Sequence, residues 1–149
     1  MMQFFVRRCY FSVFVGIACW GSAIASASLA ETLYNPIPLS SGQEVTESLT
    51  EADIPTGEGG FSRDYIVQLE EGDQVAVDLL SDEFDTIVTL IAEDGSTVGE
   101  NDDGPNGTTN SLLFARITES GSYIVRVSAF GETGGGEFKV KVTRLRPVE

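Results

Sequence analysis

Between residues 42 and 145 the hydrophobic positions of this chain recur with a period of two. Tyr65, Val67 and Leu69 alternate with Ile66 and Gln68, and Val75, Val77 and Leu79 alternate with Ala76 and Asp78. Successive side chains of a strand point to opposite faces, so this spacing predicts strands with one buried face each. Residues 84–91 (FDTIVTLI) are nearly continuous apolar, which predicts a central strand covered on both faces. Residues 45–49, 112–117, 123–130 and 138–142 complete a set of about eight strands. In the last of these Lys139 and Lys141 take the wet face.

Turn residues punctuate the pattern. Glu70-Glu71-Gly72-Asp73 and Glu93-Asp94-Gly95-Ser96 separate consecutive strands, with glycine supplying the positive φ that such turns favour. Residues 131–136 (GETGGG) predict a flexible hairpin loop; a phosphate cradle would need a lysine and a following helix that are not there. No segment carries an apolar stripe of period 3.6, and a parallel sheet would need crossover helices. The expected fold is therefore all-β, an antiparallel jelly-roll-like sandwich. Tyr65, Phe114, Tyr123 and Phe138 are expected in its core, and Tyr34 and Phe130 at its surface.

The first thirty residues differ in kind. Arg7 and Arg8 precede an apolar run from Cys9 to Trp20 and a small-residue exit, GSAIASASLA. A basic start, a short apolar stretch and small residues describe a cleavable export signal, since a spanning helix needs about 20 apolar residues. Residues 1–30 are thus expected to be a signal peptide cut after Ala27 or Ala30, with a retained membrane anchor as the alternative. The pair Arg7-Arg8 loosely resembles a twin-arginine export signal. Residues 31–41 (ETLYNPIPLSS) form a Pro-dotted leader or first edge segment, and residues 42–145 the sandwich domain. The expected location is periplasmic or extracellular, with no membrane contact after cleavage.

Composition then removes whole classes of chemistry. The 149 residues hold 9 Lys plus Arg against 23 Asp plus Glu and no histidine, a formal charge of −14. Both cysteines, Cys9 and Cys19, lie in the expected signal. The mature chain therefore has no Ser-His or Cys-His nucleophile pair, no imidazole or thiolate metal site and no disulfide. Its negative surface disfavours nucleic acid, whose phosphates it would repel.

The ordered series Phe84-Asp85-Thr86-Ile87-Val88-Thr89-Leu90, Asp94-Gly95, Glu100-Asn101-Asp102-Asp103, Asn110-Ser111 and Gly121-Ser122-Tyr123-Ile124-Val125-Arg126-Val127 resembles the bacterial pre-peptidase C-terminal domain. The resemblance covers residues 40–143. It implies a jelly-roll-like sandwich, secretion, no catalysis by the module itself and, in some members, binding of calcium and substrate surfaces. The family usually accompanies a peptidase domain, and none is attached in this sequence.

The constellation able to carry chemistry is Asp85 with Glu100, Asn101, Asp102 and Asp103, joined by Asn106 and Asn110. A calcium ion takes six to eight oxygen ligands, which carboxylates, Asn amides and loop carbonyls supply. The family pattern sets Asp85 at the mouth of a neighbouring strand. The spacing fits no EF-hand loop. The other reading is structural: Asp and Asn side chains cap turns by accepting backbone N–H bonds. The expected function is a secreted, non-enzymatic binding or accessory module, calcium-stabilised in the first of these readings. Its partner would be a protein or polysaccharide surface, a secreted peptidase among the candidates. Two alternatives stand beside it: a chaperone-like partner acting in trans on a peptidase, and a small glycosidase working through two carboxylates.

Overall fold

Ten strands follow one another among the described residues, 34–105 and 107–145, of the computed structural model. They are β1 (Ile37–Pro38), β2 (Glu44–Ser48), β3 (Ile54–Pro55), β4 (Phe61–Leu69), β5 (Gln74–Leu80), β6 (Thr86–Ile91), β7 (Thr97–Asn101), β8 (Ser111–Arg116), β9 (Gly121–Ala129) and β10 (Glu137–Leu145). The expected signal segment lies outside the described residues. One sheet has the order β1-β4-β9-β6-β7, with β3 also paired to β4, and the other has the order β2-β10-β5-β8. Every pairing is antiparallel except that of β1, which runs parallel to β4 through Ile37↔Tyr65 and Pro38↔Ile66.

The alternation read from the sequence is what stacks the sheets. Tyr65, Val67, Val88, Leu90, Val125 and Val127 of the larger sheet meet Val75, Val77, Leu79, Phe138, Val140 and Val142 of the smaller one in a single buried cluster. Each such side chain contributes about 1.5–3 kcal/mol on leaving water. The Phe138 ring stands edge-on to Tyr65 and Phe84, each 6.4 Å away between centroids, and so spans the two layers.

The structure departs from the expected pattern at four places. Strand β7 (TVGEN) has no apolar alternation, because it lies at the edge of the sheet and is largely exposed. Strand β6 is central, but its outward Ile87 and Ile91 are only half-buried beside the buried Thr89, so one of its faces is covered only in part. Residues 131–136 form no hairpin; they carry the chain from β9 in one sheet to β10 in the other. There Leu49 and Gly136 exchange N–H···O bonds of 2.9 and 3.1 Å, and a Cβ on Gly135 would lie 2.6 Å from the Leu49 carbonyl. Phe114, expected in the core, is 65% exposed, since it sits on the outer face of β8.

Polar side chains tie the layers together at both lateral edges. On one side Arg63 of β4 donates from Nε and Nη2 to the two Asp53 oxygens, each at 2.7 Å, to the Ser48 carbonyl at 2.8 Å and to Glu47. On the other, Thr86 of β6 and Ser111 of β8 join their hydroxyls at 2.7 Å, fully inside the protein. Burial pushes the Asp53 carboxyl up, but the Arg63 hydrogen bond, the Thr50 N–H and the Arg63 charge outweigh it and hold its pKa below the usual range. A carboxyl whose pKa is depressed on folding adds stability above its unfolded pKa of about 3.9 and loses it as pH falls through the folded value. Acid titration followed by urea unfolding should therefore show stability dropping below about pH 4, and Asp53→Asn should flatten that drop. Arg63→Met should cost about 2–3 kcal/mol at neutral pH by removing hydrogen bonds between charged groups.

Candidate functional site

The residues singled out in the sequence surround the end of the sandwich where β6 begins and β7 ends. Glu100 and Asn101 are not in a loop. They are successive residues of β7, so their side chains point to opposite faces. Asn101 clamps the chain that follows: its Nδ2 donates to the carbonyls of Asp103 and Leu112, both at 2.8 Å, and its Oδ1 accepts the Asp103 N–H at 3.3 Å. The Leu112 N–H returns to the Asp103 carbonyl at 3.2 Å. The end of β7 in the larger sheet is thereby fastened to β8 in the smaller.

The other candidates are placed differently. Asp102 and Asp103 are exposed, and Asp85 is half-buried with its carbonyl accepting the Phe130 N–H at 2.8 Å. Asn110 accepts the Ser81 N–H at 2.8 Å through Oδ1. Asn106 lies outside the described residues. Among the described residues no three acidic side chains come together to hold a metal ion.

Glu100 belongs instead to a surface that sequence reading did not single out. On the outer face of the larger sheet the register sets Asp64, Arg126, Thr89 and Glu100 side by side across β4, β9, β6 and β7. Arg126 grips the buried Asp64 carboxylate through Nε and Nη2 at 2.7 and 2.8 Å, and the Thr89 hydroxyl donates to Glu100 at 2.8 Å. One row away Ser62 and Ser128 share a hydroxyl contact of 2.8 Å. On the other side of this polar row Ile66, Ile124 and Ile91 stand in register.

A groove of about 420 Å³ runs over this face. Ile87, Thr89, Arg126 and Ser128 line it from the sheet, with Ile54, Pro55, Thr56 and Glu58 on the β3 side and Phe130 beyond β9. Glycine at residue 60 eases the close approach of the turn from β3 to β4: a Cβ there would lie 3.0 Å from the Ala129 carbonyl. A second cleft, of about 410 Å³, lies between residues 92–98 and 118–123 and includes Glu93, Asp94 and Glu119. Asp94 accepts the Ser96 hydroxyl at 2.6 Å and its N–H at 2.9 Å, and these bonds lower its pKa.

The signal for Arg63 was present in the sequence. It falls in phase with the buried Tyr65, Val67 and Leu69, and a charge at an inward position demands partners. For the pair Asp64–Arg126 no such signal existed, because strand register alone sets them opposite each other.

Comparison with known proteins agrees with the fold. Residues 61–129, from β4 to the end of β9, match the family model of the bacterial pre-peptidase C-terminal domain. No curated protein matches the sequence. The pre-peptidase C-terminal domain of a Bacillus anthracis collagenase superposes with a TM-score of 0.57 at 11% identity, over 73% of this chain and 95% of that one. The Aeromonas hydrophila protein PliG, a periplasmic inhibitor of g-type lysozyme, superposes with a TM-score of 0.54 at 14% identity, over 74% of this chain and 96% of that one. At these identities the likeness is one of fold.

The clamp predicts unequal costs for neighbouring polar residues. Asn101→Ala should lose about 1–2 kcal/mol in urea unfolding, because it strips partners from the Leu112 and Asp103 backbone. Asp102→Ala, at an exposed position with no such bonds, should stay within about 0.5 kcal/mol of wild type.

Proposed function

Given the match of residues 61–129 to the bacterial pre-peptidase C-terminal domain, we propose that the mature protein is an exported, non-catalytic module that binds a protein partner in trans. The observation that carries this reading is how the polar side chains are used. Arg63, Asp53, Thr86, Ser111 and Asn101 spend their hydrogen bonds on holding the two sheets to each other. Histidine and cysteine, the usual activated nucleophiles and bases, are missing from the sequence after residue 30. What is left over for function is surface. The excess of acidic over basic side chains steers a basic partner in and repels anionic ones.

The two fold neighbours support the same direction by their names alone, one being a domain of a collagenase and the other an inhibitor of lysozyme. The competing reading is hydrolysis through paired carboxylates. Incubating the purified mature domain with peptide and glycoside substrates should give no turnover above buffer. Affinity capture from the exported fraction, followed by a titration with the purified captured protein, should give saturable binding. Turnover that survives further purification, with no saturable partner, would show that the proposal is wrong.

Calcium is a separable part of this proposal, as an ion held at the exposed Asp102 and Asp103, with loop carbonyls supplying further oxygens. An ion that binds only the folded state adds about 2.7 kcal/mol at a hundredfold excess over Kd, several degrees in Tm for a domain of this size. At matched ionic strength calcium should then raise Tm more than magnesium does, and Asp102→Asn with Asp103→Asn should abolish the difference. Equal shifts would remove calcium and leave the capped-turn role of Asn101 standing.

A further inference from the structure

The outer face of the larger sheet carries more apolar surface than a solvated face calls for. A sheet with one wet face alternates apolar and polar residues, yet Ile66, Ile124 and Ile91 stand in register on the outward side, each half-buried. Ile87 follows on β6, and Ile54 and Phe130, 42% and 49% exposed, stand at the sides of the groove. Acidic side chains outnumber the one cation at this groove, where Glu58 and Glu100 stand with Arg126. Arg126 is engaged by Asp64. Glu58 and Glu100 are exposed at the groove and form none of the ion pairs among the described residues. The outer face of the smaller sheet differs, carrying Lys139, Lys141 and Arg116 together with Asp78 and Phe114.

We infer that this groove is the docking site of the module and that its occupant is a basic segment of a partner protein. Apolar side chains of that segment rest on Ile54, Ile87, Ile91 and Phe130, and its cations meet Glu58 and Glu100. The inference rests on the protein-binding role proposed above and names the surface and the chemistry of the partner. Two other occupants fit less well. A polysaccharide would want flat aromatic platforms, whereas Phe130 is the one aromatic residue lining the groove among the described residues. A second copy of this chain brings the same excess of acidic side chains and is repelled.

The test uses a short synthetic peptide of alternating leucine and lysine, with an all-lysine peptide as control, titrated into the mature protein by calorimetry at two salt concentrations. The mixed peptide should bind more tightly than the all-lysine one. Ile54→Ser with Phe130→Ser should weaken it roughly tenfold or more, the loss expected for interface anchors. Glu58→Gln with Glu100→Gln should weaken binding and flatten its salt dependence, and Phe114→Ser on the opposite face should change nothing. These positions are exposed, so unchanged Tm and circular dichroism should accompany each variant. Equal binding of the two peptides, no binding of either, groove variants that bind like wild type, or an equal loss in Phe114→Ser would each overturn the groove. If a captured protein partner binds the groove variants as well as wild type, the site is wrong while the protein-binding role stands; substrate turnover without a partner removes the role itself.

Discussion

Each long strand of this protein has one face to bury, and among the described residues each sheet buries that face on the other. That constraint organises the rest. The inward valines, leucines and aromatics of β4, β9 and β6 are covered only when those of β5 and β10 lie against them. A single sheet of either kind would expose an apolar face of the sort that drives association. Phe138, edge-on to both Tyr65 and Phe84, fixes how the layers are set.

Stacking alone leaves the two sides of a sandwich open, and here hydrogen bonds help to close them. Arg63 draws in Glu47, Asp53 and the Ser48 carbonyl on one side, while Thr86, Ser111 and Asn101 act on the other. Each of these groups is costly to bury alone and favourable when fully paired. A chain this acidic has few cations to spend, and three of them, Arg63, Arg126 and Arg144, are committed to carboxylates in the folded protein. The acids that remain unpaired give the surface its sign.

The same constraint explains where functional surface can exist. Inward faces are consumed by the core and lateral edges by the ties, which leaves the outer faces of the two sheets and the loops at their ends for a partner to meet. The two outer faces are unlike each other. The larger sheet presents isoleucine beside acid and a groove walled by β3, and the smaller presents Lys139, Lys141 and Arg116 with Asp78 and Phe114. A module with two chemically distinct faces can address one class of partner without presenting the same chemistry on its other side.

How much of this was legible in the sequence depended on whether the cause was local. Period-two alternation is a property of neighbouring residues, so Tyr65-Val67-Leu69 and Val75-Val77-Leu79 announced strands and a sandwich directly, and the ordered motifs from Phe84 to Val127 matched the family found over residues 61–129. Even Arg63 could be read as a charge at an inward position. Strand β7 was silent because an exposed edge needs no apolar partner, and Phe114 misled because alternation gives two faces without saying which is wet. The acidic loop was legible as a cluster and misleading as a unit, since Glu100 and Asn101 point apart once they lie on a strand. Asp64 facing Arg126, Ile66 beside Ile124, and the crossing of residues 131–136 between sheets were decided by tertiary structure alone. Pairing register and layer assignment join residues some sixty positions apart through the closure of the whole fold, and no local pattern encodes that distance.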